Sequence, residues 1–316
     1  MDRRQREVCI RGGPGGVLRR LESRQVLQGA LWLRLYWRLE RPDEALFSGE
    51  YRLQPGMRVE QMLGLWQRHE VVQYQLTLVE GWNFRQLRQA MAAQPGLAQT
   101  LGALDDAAVM ARLGHPGLHP EGRFFPDTYR YTRGYTDLAL LKRAFERMES
   151  ILAEEWAGRA GSLPYGSADE ALTMASIIEK ETGVPDERSE IAGVFVRRLE
   201  AGMRLQTDPT VIYGVGEAYN GRITRAYLQQ AGPYNTYLNT GLPPTPIAMA
   251  GRQAIHAALH PAPGDALYFV ARGDGTHAFS ASLEAHNQAV RQYQLNRRPD
   301  YRSSPSPAGQ EAVKNE

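Results

Sequence analysis

The stretch MASIIEKETG, Met174 to Gly183, passes abruptly from an apolar run ready for burial to Glu179, Lys180 and Glu181. Extended back to Ala168, it reads as one amphipathic helix, Ala168 to Thr182, with its apolar centre near Met174 and Ile178. Glu179 falls at the edge of that stripe, one turn beyond Ala175 and Ser176, and Glu181 falls slightly closer to it. A carboxylate bordering apolar surface ionises less readily, which moves its pKa toward the range a general acid needs near neutral pH. The plainer reading is a helix whose last turn meets water, with either glutamate paired to Lys180, Arg188 or another surface cation. On pattern alone this is the commoner arrangement, because structural ion pairs outnumber catalytic acids.

Working outward, helical periodicity covers Asp137 to Trp156 and Glu187 to Ala201, and Trp82 to Leu113 is helical in pattern. HPGLHPEGRFFPDTYRYTRG, from His115, is punctuated by Pro and Gly and describes an ordered loop with short strands. GMRLQTDPTVIYG, from Gly202, reads as loop and strand, and YNTYLNTGLPPTPIAMAG, from Tyr234, as a long turn-rich loop. RQAIHAALH reads as a helix, ALYFVARGDGTHAFS as a hairpin turning at Gly273 to Gly275, and SLEAHNQAVRQYQLN as a closing helix.

Toward the N-terminus a strand, turn and helix plan occurs twice. A strand at Val8 to Ile10, a turn through Gly12 to Gly16 and a helix carrying Val17, Leu18, Leu21 and Val26 form the first unit. A strand with Tyr51 and Leu53, a Pro55-Gly56 turn and a helix with Val59, Met62, Leu63 and Trp66 form the second. GALWLRLYWRL, from Gly29, is interrupted by Arg34 and Arg38 and reads as an amphipathic helix. Alternation through Tyr74, Leu76 and Leu78 marks another strand, at which the domain boundary is expected. The expected organisation is α+β: a small subdomain over 1–78, a larger one over 79–296 and a polar, disordered tail over 297–316.

Composition narrows the function classes. A chain of 316 residues that is 42% hydrophobic can bury two cores, and a net charge of +2 gives no global field for nucleic acid. Cys9 is the only cysteine, so neither an internal disulfide nor a Cys/His zinc cluster is available. No run approaches the roughly 18 consecutive apolar residues of a membrane span.

Two further clusters carry possible chemistry. Glu121, Asp127, Tyr129 and Tyr131 lie beside Phe124 and Phe125, a mixture suited to a sugar, whose ring offers an apolar face and hydroxyls; Asp127 equally suits a turn after Pro126. Gln206, Thr207, Asp208, Asn235, Thr236 and Asn239, interleaved with Tyr213, Tyr234 and Tyr237, are polar groups that need partners near a core, which mildly favours a binding groove. Asp208-Pro209 also serves as an ordinary turn initiator. His256 and His260 have a metal-compatible spacing, but Ala257 replaces the glutamate of an HExxH motif and no third ligand is signposted, so packing is expected and no metal. Neither a GxSxG elbow nor a Ser/His/Asp order is present.

Five segments in register resemble the MltG (YceG-like) endolytic murein transglycosylases: EGRFFPDTY from Glu121, ASIIEKETG from Ala175, ERSEIAGVFVRRLEAGMRLQTDPTVIYG from Glu187, YNTYLNTGLPPTPIAMAG from Tyr234 and ALYFVARGDGTHAFSASLEAHN from Ala266. With the N-terminal units, the resemblance covers roughly residues 8–295. It implies a LysM-like N-terminal subdomain and interior cleavage of peptidoglycan strands between MurNAc and GlcNAc, leaving 1,6-anhydroMurNAc ends and terminating nascent strands. It implies that the acid is the first glutamate of EKET, Glu179, in place of the Glu181 that the wheel prefers. Glu121, Gln206, Asp208, Tyr213, Asn235 and Tyr237 fall in motifs that surround the groove; Asp208 or Glu121 would stabilise positive charge on the sugar, and Asn235 would hold an acetamido group.

No cofactor is implied, and peptidoglycan synthases are the implied partners. The resemblance further implies an inner-membrane anchor with the catalytic domain in the periplasm. This sequence has no such helix and is expected to begin where the anchor ends. Two competing readings are a non-catalytic peptidoglycan-binding module and a pyridoxal-phosphate lyase using Lys180, the one lysine of three in a plausible setting.

Overall fold

The computed structural model describes residues 6–10, 14–40, 49–54 and 56–295. The expected tail, 297–316, and Pro55 of the second turn lie outside the described residues. The chain divides into two compact units, one of Met1–Leu76, Met91–Gly102 and Thr128–Leu140, the other of Thr77–Ala90, Ala103–Asp127 and Leu141–Glu316.

The first unit opens with β1 (Arg6–Ile10), α1 (Pro14–Ser23), α2 (Ala30–Glu40), β2 (Gly49–Leu53) and α3 (Val59–Gln67). Strands β1 and β2 are antiparallel, with Val8 opposite Tyr51. Helical spacing puts Val17, Leu18 and Leu21 of α1 on one face, which closes on Trp37, Tyr51, Met62, Leu63 and Trp66. Helix α1 starts at Pro14, inside the stretch expected to be a turn, because proline at a first helical position loses no intrahelical bond. Helix α2 buries Ala30 and Trp37 and turns Leu31, Trp32, Leu35 and Leu39 outward. Further along, β3 (Gln73–Thr77) pairs with β4 (Thr128–Thr132), where Tyr74 and Tyr131 stack at 5.5 Å.

The second unit contains most of α4 (Phe84–Ala92), then α5 (Asp106–Arg112), the greater part of α6 (Asp137–Ala157), α7 (Ala168–Glu181) and α8 (Arg188–Glu200). It continues with α9 (Asp208–Val215), α10 (Arg225–Gln229), α11 (Arg252–Leu259), β5 (Tyr268–Ala271), β6 (His277–Ser280) and α12 (Leu283–Val290). Helix α7 runs through its centre: every residue from Ala171 to Ile178 is buried, and α8 and α11 pack on it. Burial of Leu172, Met174, Ile177 and Ile178 is worth roughly 1.5–3 kcal/mol each, enough to fix where the helix lies. Ser167 caps its start by accepting the Glu170 N–H, and Asp169 and Glu170 in the first turn with Lys180 in the last suit its dipole. The two hydroxyls on this buried helix are satisfied locally, Thr173 on the Asp169 carbonyl and Ser176 on the Thr173 carbonyl.

Two expected elements change. The loop and strand over 202–214 contains the helix α9: Pro209 sits in its first turn, where a missing N–H costs nothing, and this outweighs the β-branched Thr210, Val211 and Ile212. The helical pattern from Trp82 to Leu113 forms as α4 and α5, with Pro95 and Gly96, the latter at φ +76, in the turn after the first. The closing helix is regular only to Val290 and then widens into a π turn over Arg291–Leu295. The hairpin forms as expected: β5 and β6 are antiparallel, and Asp274 accepts the Thr276 N–H at 2.9 Å within the turn.

Candidate functional site

The apolar run of α7 delivers its C-terminal turn to the edge of the core, so that Glu179 has only 7% of its side chain exposed. The Gly251 N–H donates to its Oε2 at 2.9 Å, and the Arg188 guanidinium, 9% exposed, lies 3.9 Å from its Oε1. Arg188 is held in turn by the Gln253 side chain at 2.6 Å. Burial raises the pKa of Glu179 and outweighs the Gly251 N–H, Arg188 and Lys180, all of which favour the anion; the Glu80 carboxylate adds to the rise. The pairing to Arg188 that the plainer sequence reading expects is therefore present, without restoring ordinary acidity.

Two residues on, Glu181 accepts the Thr207 hydroxyl, and burial, reinforced by Asp208, pushes its pKa up to about 7 despite that bond. Thr207 belongs to a buried hydroxyl cluster: its N–H donates to Thr236 Oγ1 at 3.1 Å, and Thr210 and Thr236 share a bond at 2.8 Å. Beside it the Tyr237 hydroxyl donates to Asp208 at 2.6 Å, and burial and that carboxylate raise the tyrosine pKa.

Glu121 is 3% exposed and takes the Phe84 N–H on both oxygens, at 3.0 and 3.2 Å. Burial lifts its pKa to about 7, against the opposing bonds from Tyr213 and the Phe84 and Gly122 amides. Tyr213, whose own pKa is raised by burial and by Glu121, packs edge-on against Tyr234 at 4.8 Å. A cleft of about 920 Å³ opens over this group, lined by Gly81, Phe84, Glu121, Lys180, Pro209 and Tyr213 among others. Lys180 rather than Glu179 forms the wall here.

Among the residues singled out from the sequence, Glu121 and Tyr213 thus meet in the cleft, and Asp208 and Tyr237 meet beside Glu181. Asn235 is engaged within its own loop: its amide reaches the Tyr227, Leu228 and Gln230 carbonyls and its oxygen takes the Tyr237 N–H. Gln206 is exposed in the left-handed region at φ 54, its N–H on the Thr236 carbonyl. Tyr129 and Tyr131 are buried. Glu155, which no sequence pattern pointed to, stands beside His256 and His260 closely enough to share a cation. Their atoms have protein partners instead: His256 Nδ1 and Arg252 Nε each hold a Glu155 oxygen, at 2.8 and 2.7 Å, and both His260 nitrogens face backbone carbonyls. Sequence reasoning missed Glu80 and Gly251, whose only signal was a polar residue before Gly81 and a glycine ending the long loop.

An α+β fold with a cleft over the buried Glu121 carboxyl and Tyr213, and with the buried Glu179 and Glu181 at the end of α7, all three carboxyl groups of raised pKa, has the makings of acid-base carboxyl chemistry. The YceG-like family model matches residues 11–292, and the chain belongs to that family. It is 35% identical over 263 residues to an endolytic murein transglycosylase of Bacillus subtilis (strain 168), covering 78% of this chain and 72% of that protein. It is 30% identical over 213 residues to the endolytic murein transglycosylase of Streptococcus pneumoniae serotype 2, covering 66% of this chain but only 37% of that longer protein. The crystal structure of a putative yceG-like protein from Listeria monocytogenes is similar with a TM-score of 0.58 and 32% identity, covering 91% of this chain and 99% of that one.

Proposed function

We propose that this chain is an endolytic murein transglycosylase in which Glu179 lends one proton and takes one back. As an acid, Glu179 protonates the glycosidic oxygen between MurNAc C1 and the next GlcNAc, and the C1–O bond breaks. As a carboxylate, it then removes the proton from the MurNAc C6 hydroxyl while that oxygen bonds to C1 and closes a 1,6-anhydro ring. No water is consumed, so a single carboxyl group suffices where hydrolysing glycosidases use two. The observation that carries the reading is the buried Glu179 carboxyl, fixed by the Gly251 N–H and kept protonated to higher pH by its surroundings. The names of the Bacillus and Streptococcus relatives support the reaction class.

The cleft over Glu121 and Tyr213 is assigned to the glycan strand, with the tyrosine edge against a sugar face and the protonated carboxyl donating to a hydroxyl. Asp208, oriented by Tyr237, is assigned to stabilise positive charge on the ring, with Gln206 at the rim. Asn235 shapes the loop that carries Tyr237. Residues 1–78 are read as a LysM-like subdomain and 79–296 as the catalytic domain. Action on nascent strands, beside peptidoglycan synthases at the outer face of the inner membrane, completes the proposal; among the described residues no helix is long and apolar enough to cross a membrane.

Mass spectrometry of digested sacculi tests it. The expected result is anhydro-ended fragments from the wild type and none from Glu179→Gln. Sacculus binding without new ends in the wild type would instead identify a non-catalytic binding module. Loss of activity in Glu181→Gln with activity kept in Glu179→Gln would transfer the acid to Glu181.

A further inference from the structure

We propose that Glu80 is a positioning residue for this site, a carboxylate held across the Gly251 backbone from the Glu179 carboxyl and acting on it through its charge. The inference rests on the transglycosylase reading above and adds a residue to it.

Three hydrogen bonds build the arrangement. The Gly81 N–H donates to the Met249 carbonyl at 2.9 Å, the Met249 N–H returns to the Trp82 carbonyl at 2.8 Å, and Lys180 Nζ reaches the Gly81 carbonyl at 3.1 Å. Residues 80–82 are thereby clamped to 249–251 and to the last turn of α7. Gly251 is then approached from two sides. Its N–H points to Glu179, and a Cβ on its Cα would fall 2.5 Å from Glu80 Cδ and closer still to Oε1. The two carboxyl groups are thus separated by the backbone of one glycine, within roughly 7 Å of each other.

Three charged groups act on Glu179: Lys180 on its own helix, Arg188 at the start of α8, and Glu80 from the clamped turn, while the α11 side contributes the uncharged Gly251 N–H. Glu80 is the sole anion of this set, and it is exposed where Glu179 is buried. A solvent-facing negative charge beside a buried acid favours the neutral acid, the state the first proton transfer requires. It also acts against Arg188 and Lys180, which favour the anion.

The test is the carbon-13 NMR titration of the Glu179 carboxyl, read without substrate, in wild type, Glu80→Gln and Glu80→Asp. Glu80→Gln is expected to lower the Glu179 midpoint by roughly half a pH unit at low salt, with the difference shrinking near 1 M salt. Glu80→Asp, whose carboxylate is drawn back from Gly251, is expected to shift the midpoint the same way by less, and it serves if the glutamine variant does not fold. The alkaline limb of the cleavage profile is expected to move down with the midpoint, which a purely structural role would not produce. A midpoint unmoved or raised in both variants overturns the proposal. Anhydro ends persisting in Glu179→Gln would overturn the reading of Glu179 as the acid while leaving the measured midpoints to stand.

Discussion

Replacing Glu121 by glutamine isolates the energetic consequence of a buried carboxyl. In the folded chain its pKa is raised from 4.5 to about 7, mainly by burial. Below the lower value both folded and unfolded states hold the proton and no penalty exists. As pH rises through that value the unfolded chain releases the proton first, and the folded state loses stability until its own group ionises near pH 7. Above that the loss is complete, and the cited displacement corresponds to roughly 3 kcal/mol. Glutamine keeps an oxygen for the Phe84 N–H but cannot ionise, so it removes the pH-dependent part and retains the bond. Urea unfolding of wild type and variant at about pH 4 and about pH 8 should show near-equal stability at acid pH and a variant more stable by roughly 2–3 kcal/mol at alkaline pH. A variant destabilised equally at both values, or a wild type whose stability does not fall across this window, would refute the assignment of a buried, proton-retaining Glu121.

Two substitutions test the packing around the site. Ser176→Ala should cost about 1–3 kcal/mol in urea unfolding, because the buried Ile247 N–H loses the Ser176 oxygen it reaches at 3.0 Å; an unchanged midpoint would show that this N–H finds another acceptor. Gly122→Ala should be more damaging, since residue 122 has φ +75 and a Cβ there would come within 2.8 Å of Pro246 Cγ; a Tm within a degree or so of wild type would contradict the close approach.

Local signals made much of the fold legible. Helix α7 could be read from its periodic apolar residues, and the hairpin from the Gly273-Asp274-Gly275 turn, because each depends on neighbours in sequence. Helix α9 was misread because Thr210, Val211 and Ile212 suggest a strand, whereas Thr210 and Val211 are buried and the Thr210 hydroxyl turns back to the Thr207 carbonyl. The proton affinity of Glu179 was legible only as an edge position on a wheel; burial raises it against an N–H supplied by Gly251, which no spacing rule connects to it. Asn235 reads in sequence as a polar group in need of partners, and only coordinates reveal that backbone carbonyls supply them. Glu80 had no pattern of its own, since a lone acidic residue after a strand is what any surface turn can hold.

The closures around α7 have a consequence for biogenesis. Glu179 meets Gly251 across 72 residues of chain and Lys180 meets Gly81 across 99, so the acid acquires its surroundings only after long-range loops have shut. A half-made or misassembled copy would carry the same glutamate in water, with ordinary acidity and no grip on a sugar. An enzyme able to sever the wall of its own cell would thus stay inert until synthesis and folding are finished, with no separate inhibitor required.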